Sequence, residues 1–151
     1  MSTVEENKKI LQRYFDELHN QQDYSKADEI LHEDYTGSGG GIKGVEGLKQ
    51  FIKQQHSQSS DLTYKTMDMI AEEDRIAIFL EVSGIHDGVF NGFSPTGNTF
   101  SIAQVSVYEF RDGKVYRGLS RTLLDQLGLY QQLGVLPSTA EFVQAYNDSL
   151  K

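Results

Sequence analysis

Apolar residues recur at helical spacing through the first third of the chain and at every second position after it. Thr3 followed by Glu6 has the spacing of a capping box, and Val4, Ile10, Leu11, Tyr14 and Leu18 then return on one helical face. This predicts an amphipathic first helix ending near His19-Asn20. Ser25 with Asp28 predicts a second, short helix carrying Ala27, Ile30 and Leu31. His32-Glu33-Asp34-Tyr35-Thr36 is too polar for a central strand, Gly37 to Gly44 is a glycine-rich loop, and Val45, Leu48, Phe51 and Ile52 mark a third helix running towards His56.

From Leu62 the period falls to two. Strands are expected over Leu62 to Ala71, Arg75 to His86, Asn98 to Phe110 and Lys114 to Leu124. The links Glu72-Glu73-Asp74 and Arg111-Asp112-Gly113 are short enough only for hairpins, so the sheet is mainly antiparallel. Asp87 to Gly97, with Gly88, Gly92, Pro95 and Gly97, is a rim loop. Asp125 opens a helix that closes at Gly134, and Ser138 with Glu141 caps a last helix carrying Phe142, Val143 and Tyr146. Helices, then a sheet, then short helices make an α+β fold. In the third strand Phe100, Ile102, Gln104, Ser106, Tyr108 and Phe110 share one face while Ala103, Val105 and Val107 share the other. Two apolar faces imply helices on one and a partner subunit or ligand on the other, so a homo-oligomer is expected.

Composition narrows the classes. The 151 residues suit a single domain with one core. The absence of cysteine excludes disulfides, thiolate metal sites and a cysteine nucleophile. A net charge of −8 without a local Lys/Arg cluster opposes nucleic-acid and anionic-membrane partners. MSTVEENKKI lacks the apolar run of a signal peptide and no stretch is long enough to span a bilayer, so a cytoplasmic protein is the expectation. Gly39, Gly41 and Gly44 have dinucleotide-fingerprint spacing, but that motif needs a parallel βαβ unit and the downstream chain reads as an antiparallel meander. No histidine pair has metal-ligand spacing, so no metal is expected.

Asn91-Gly92-Phe93-Ser94-Pro95-Thr96-Gly97, Val107-Tyr108-Glu109-Phe110-Arg111-Asp112-Gly113-Lys114-Val115 and Asp125-Gln126-Leu127-Gly128-Leu129-Tyr130-Gln131-Gln132-Leu133-Gly134 together resemble the SnoaL-like polyketide cyclases, part of the nuclear-transport-factor-2-like and ketosteroid-isomerase-like superfamily. The similarity extends through Gly84-Ile85-His86-Asp87-Gly88 and Gly44-Val45-Glu46-Gly47 to cover most of residues 4 to 137, with 138 to 151 forming the C-terminal helix. The resemblance implies a curved antiparallel sheet wrapped by helices into a cone with an internal cavity, often dimeric. It also implies a cofactor-free intramolecular aldol condensation on a hydrophobic, carbonyl-bearing molecule. The fold equally hosts non-catalytic binding and dimerisation modules, which stand as the alternative.

Such chemistry needs a base, donors for an enolate oxygen and an acid for the alkoxide. The resemblance puts the base and acid at Asp125; the same residue before a helical period is also a favoured N-cap. His-Trp, frequent in the family before the acid, is replaced by Ser120-Arg121, and a histidine frequent after the family's Asp-Tyr by Gly37-Ser38-Gly39. Arg121 either pairs with Asp125 or holds a substrate oxygen. His86 is a candidate donor to substrate or a partner for Asp125, or a hydrogen-bonded loop histidine. Gln104 and Ser106 are candidate cavity donors or a satisfied interior pair, and Tyr14 lines the cavity with its hydroxyl or belongs to the core.

Overall fold

The computed structural model describes residues 3–119 and 123–151. The capping box forms as spaced: Glu6 N donates to the Thr3 hydroxyl at 3.1 Å and Thr3 N to the Glu6 carboxylate at 2.7 Å, opening α1 (Val4–Arg13). The helix then continues as a π-helix over Tyr14–Asn20, where each turn is wider. In α2 (Ala27–Ile30) the expected cap does not form. Ser25 N donates to the Asp23 carboxylate at 3.0 Å, and the N-cap position falls on Lys26, which makes no side-chain cap bond.

The segment read as too polar for a central strand is a strand, and it lies between two others in the sheet. In β1 (Leu31–Gly37), Leu31, Tyr35 and Gly37 turn inward and the charged Glu33 and Asp34 outward, so two-residue alternation outweighs average polarity. There follow β2 (Ile42–Lys43), α3 (Gly44–Gln58), β3 (Thr63–Glu72), β4 (Arg75–Ile85), β5 (Thr99–Arg111), β6 (Lys114–Gly118), β7 (Leu123–Leu124), α4 (Gln126–Leu133) and α5 (Thr139–Ser149). One curved, unclosed sheet results, in the order β2-β1-β6-β5-β4-β3, with β7 also on β5. Its described pairings are antiparallel except for β1 with β6, which run parallel. The fourth expected strand is therefore split, because β6 pairs β5 from Tyr108 to Arg111 and β7 pairs it at Gln104 and Val105.

Register sets what faces the interior. Ile76, Ile78, Leu80 and Val82 of β4 lie opposite Tyr108, Ser106, Gln104 and Ile102 of β5, on the face covered by Leu11, Tyr14, Phe15 and Leu18 and by Leu48 and Ile52 of α3. At about 25 cal/mol per Å2 of apolar surface, this burial is the main term holding helices to sheet. The other face carries Ala77, Phe79, Val105 and Val107 half-buried and Ile70 exposed. All of α5 is exposed, including Phe142, Val143 and Tyr146. Among the described residues no helix is long and apolar enough to cross a membrane.

Candidate functional site

Between the helices and the inner face of the sheet lie two chambers that share Gln55, Tyr64, Phe90, Gln104 and Leu124 as a common waist. The outer chamber, about 220 Å3, is walled by apolar side chains including Leu62, Val82, Phe100, Ile102, Leu129 and Leu133, with His86 among them. The inner one, about 340 Å3, is lined by Tyr14, Phe15, His19, Tyr35, Ser106 and Tyr108 besides apolar groups from α3. None of the described lining residues of either chamber is Asp, Glu, Lys or Arg.

His86 follows β4 and is fixed from several directions. Its backbone N–H donates to Asn98 O and its carbonyl accepts from Gly97 N, both at 2.9 Å. The residue is 1% exposed. Thr96 N–H donates to Nδ1 at 3.2 Å, and the Thr96 hydroxyl lies 3.0 Å from the same nitrogen. A backbone amide can only donate, so Nδ1 bears a lone pair and the neutral ring carries its proton on Nε2. That Nε2 is buried without a hydrogen-bond partner among the described residues. At the next residue, the Asp87 carboxylate accepts from the Ser60 hydroxyl and from Ser60 N, which holds its pKa below the ordinary value, while Gly88 N donates to Gln58 O at 3.1 Å. The loop after β4 is thereby stitched to the end of α3.

The inner chamber is organised by a run of hydroxyls. Tyr14 and Tyr35 share a hydrogen bond of 2.9 Å, the Tyr14 and Tyr108 rings pack with centroids 5.2 Å apart, and Gln104 Nε2 donates to Ser106 Oγ at 3.3 Å. Desolvation raises the pKa of Tyr14 and Tyr108 well above that of a free phenol and pushes Tyr35 and Tyr64 up to about 12. These phenols are neutral at ordinary pH and supply donors. Alternation along β5 made Gln104, Ser106 and Tyr108 legible as one face. Tyr35 was hidden by the polar look of β1, and His19 by its place at the expected end of the first helix.

Asp125 lies apart from this network. It is exposed and is the N-cap of α4: Gly128 N donates to its Oδ1 at 2.9 Å, and the space a Gly128 side chain would occupy is filled by the Asp125 carboxyl group. Its neighbours Leu124 and Gln126 both line the outer chamber, whereas Asp125 does not, so the carboxylate sits at the chamber's rim. Arg121 and Ser120 lie outside the described residues. The structure thus brings Tyr14, Gln104, Ser106 and His86 to one cavity system and leaves Asp125 at its edge. Among the described residues no group of three or more His, Asp or Glu side chains is arranged to hold a metal ion.

Comparison with known structures agrees with this architecture. TsrD from Streptomyces laurentii is similar at a TM-score of 0.78 and 24% identity, over 90% of this chain and 100% of that one. AclR from Streptomyces galilaeus, provisionally a hydroxylase, gives 0.75 and 24% over 98% of this chain and 93% of that one. A SnoaL-like polyketide cyclase from Agrobacterium tumefaciens gives 0.73 and 19% over 88% and 99%. No curated protein matches the sequence. These likenesses establish the fold, and their differing descriptions caution against reading chemistry from it. The profile of the SnoaL-like polyketide cyclases matches residues 9–133, and the chain belongs to that family.

Proposed function

We propose that the cavity takes up a neutral, hydrophobic, carbonyl-bearing molecule and promotes cofactor-free proton transfer next to that carbonyl, the chemistry of an aldol-type cyclisation. The observation that carries this reading is the buried Nε2 of His86, without a hydrogen-bond partner among the described residues, in the wall of an apolar chamber. A buried donor without a partner costs about 1–3 kcal/mol, and a ligand carbonyl would offset that cost. The same hydrogen bond strengthens as the carbonyl oxygen gains charge in an enolate, so it favours the transition state over the ground state. Tyr14, Gln104 and Ser106 would hold other ligand oxygens. Asp125, flanked in sequence by the lining residues Leu124 and Gln126, is the proposed base, acting after exchanging its cap bond for the substrate.

The cap itself favours a second reading, in which the protein binds such molecules without catalysis. The bicyclic ketone 2-tetralone separates the two. In D2O, the wild type is expected to accelerate exchange of the ketone's α-protons saturably. His86→Phe is expected to lower the rate by about 100-fold, the scale of one lost oxyanion donor. Asp125→Asn retains a side chain able to cap, so its loss of exchange without loss of stability would identify the base. Saturable binding with background exchange would leave only the binding module. The open second face of the sheet supports pairing with a second copy, which equilibrium sedimentation would register as twice the chain mass.

A further inference from the structure

Among the described residues four buried side-chain polar atoms have no hydrogen-bond partner, and two of them belong to cavity walls: Nε2 of His86 in the outer chamber and Nε2 of His19 in the inner one. His19 is 4% exposed. Its ring stacks on Phe15 at 5.0 Å between centroids, meets Tyr64 edge-on at 5.1 Å and leans on Tyr14 at 4.9 Å. Three aromatic contacts fix the ring.

The backbone explains how it arrives there. On an α-helix, residues five apart point about 140° from one another. Tyr14 and His19 are the first and sixth residues of the π-helix, whose i to i+5 bonding brings such residues onto the same face. The wider turn therefore delivers a phenol and an imidazole side by side into the inner chamber, which an uninterrupted α-helix would not.

We propose that His19 is a specificity-determining residue whose Nε2 recognises a neutral hydroxyl group at the far end of the ligand whose carbonyl meets His86. This rests on the ligand-binding reading above. A neutral imidazole nitrogen donates in one tautomer and accepts in the other, and a hydroxyl satisfies either. A carboxylate or ammonium would lie in this chamber without a counter-charge among its described lining residues, and an unpaired buried charge is strongly disfavoured. The two chambers adjoin at the five residues they share, so a ligand that spans them would have an oxygen at each end and an apolar middle.

Two probes test this: 6-hydroxy-2-acetonaphthone, with a carbonyl and a hydroxyl at opposite ends, and 2-acetonaphthone, which lacks the hydroxyl. The wild type is expected to bind the hydroxylated probe about tenfold more tightly. His19→Phe should erase that preference while leaving the affinity for 2-acetonaphthone intact, and His86→Phe should weaken both probes alike. In the wild type, which needs no altered residue to fold, the His19 Nε2 resonance should shift with the hydroxylated probe and stay fixed with the other. An unchanged preference in His19→Phe, or an unmoved His19 resonance, overturns the assignment while leaving His86 in place. Failure of both probes to bind overturns the ligand cavity and the His19 subsite with it.

Discussion

Acidification from pH 7 to pH 4.5 is expected to cost the wild type some 2–3 kcal/mol more stability than it costs His19→Phe. Burial pushes the pKa of His19 down from 6.5 to about 3, with His56 nearby adding a smaller push in the same direction. Above pH 6.5 the imidazole is neutral in folded and unfolded chains alike, so it contributes no pH dependence. Between 6.5 and 3 the unfolded chain takes up a proton that the folded chain refuses, and stability falls by up to about 1.4 kcal/mol per pH unit. Carboxylates titrate in the same window, which is why the comparison is with a variant rather than with zero. Urea unfolding of both proteins at pH 7 and 4.5 measures the difference. Parallel losses would mean that His19 is solvated in the native state, against the buried placement described above.

Gly88→Ala is expected to destabilise by roughly 3 kcal/mol, or about 6–12 °C in melting temperature for a chain of this size. A Cβ there would overlap the Ser57 carbonyl oxygen and lie 2.9 Å from Ser57 C and 3.1 Å from Gln58 Cα. All three atoms are backbone at the end of α3, so no side chain can swing aside. Because Gly88 N–H is tied to Gln58 O, relief would pull the loop from its seat and loosen the His86 ring two residues earlier. Two other glycines calibrate the effect. Gly92 has φ +83 with nothing near its missing Cβ, so alanine there meets backbone strain alone, about 1 kcal/mol. Gly47 lies inside α3 with ordinary contact to Ile42 at 3.5 Å, and alanine should stabilise by roughly 0.5–1 kcal/mol. Similar melting temperatures for the three variants would show that the β4 to β5 loop is not rigidly seated.

Where a structural feature is local, the sequence already displays it. The capping boxes at Thr3 and Ser138 need only residues three apart, and both form. Gly134 closes α4 in the left-handed conformation, as a glycine after the last apolar turn suggests. The long strands likewise follow from alternation over many residues. What escaped depends on tertiary context. β1 looks polar until its pairing with β6 decides which side chains turn inward. The π-helix has no sequence pattern of its own, because one helical period in Tyr14–Asn20 serves α and π alike until the aromatic packing selects the wider turn.

The candidate site was legible in the same uneven way. Gln104 and Ser106 share a face by simple alternation and reach the cavity as neighbours. For His86 the sequence offered a donor or a loop histidine, and the structure makes it both buried and anchored, with one nitrogen tied to Thr96 and the other without a partner among the described residues. Asp125 was balanced between base and cap. Geometry gives the cap directly, since Gly128 leaves room for the carboxylate, while a catalytic role requires a motion that the resting structure does not contain.

The account turns on the His86 donor. A long-range proton–nitrogen spectrum of the imidazole rings, recorded while 2-tetralone is added, addresses it most directly. The prediction is a neutral His86 ring protonated on Nε2 in the free protein, whose Nε2 resonance moves saturably as the ketone binds. A ring protonated on Nδ1, or an Nε2 resonance that stays fixed at ketone saturation, would contradict it.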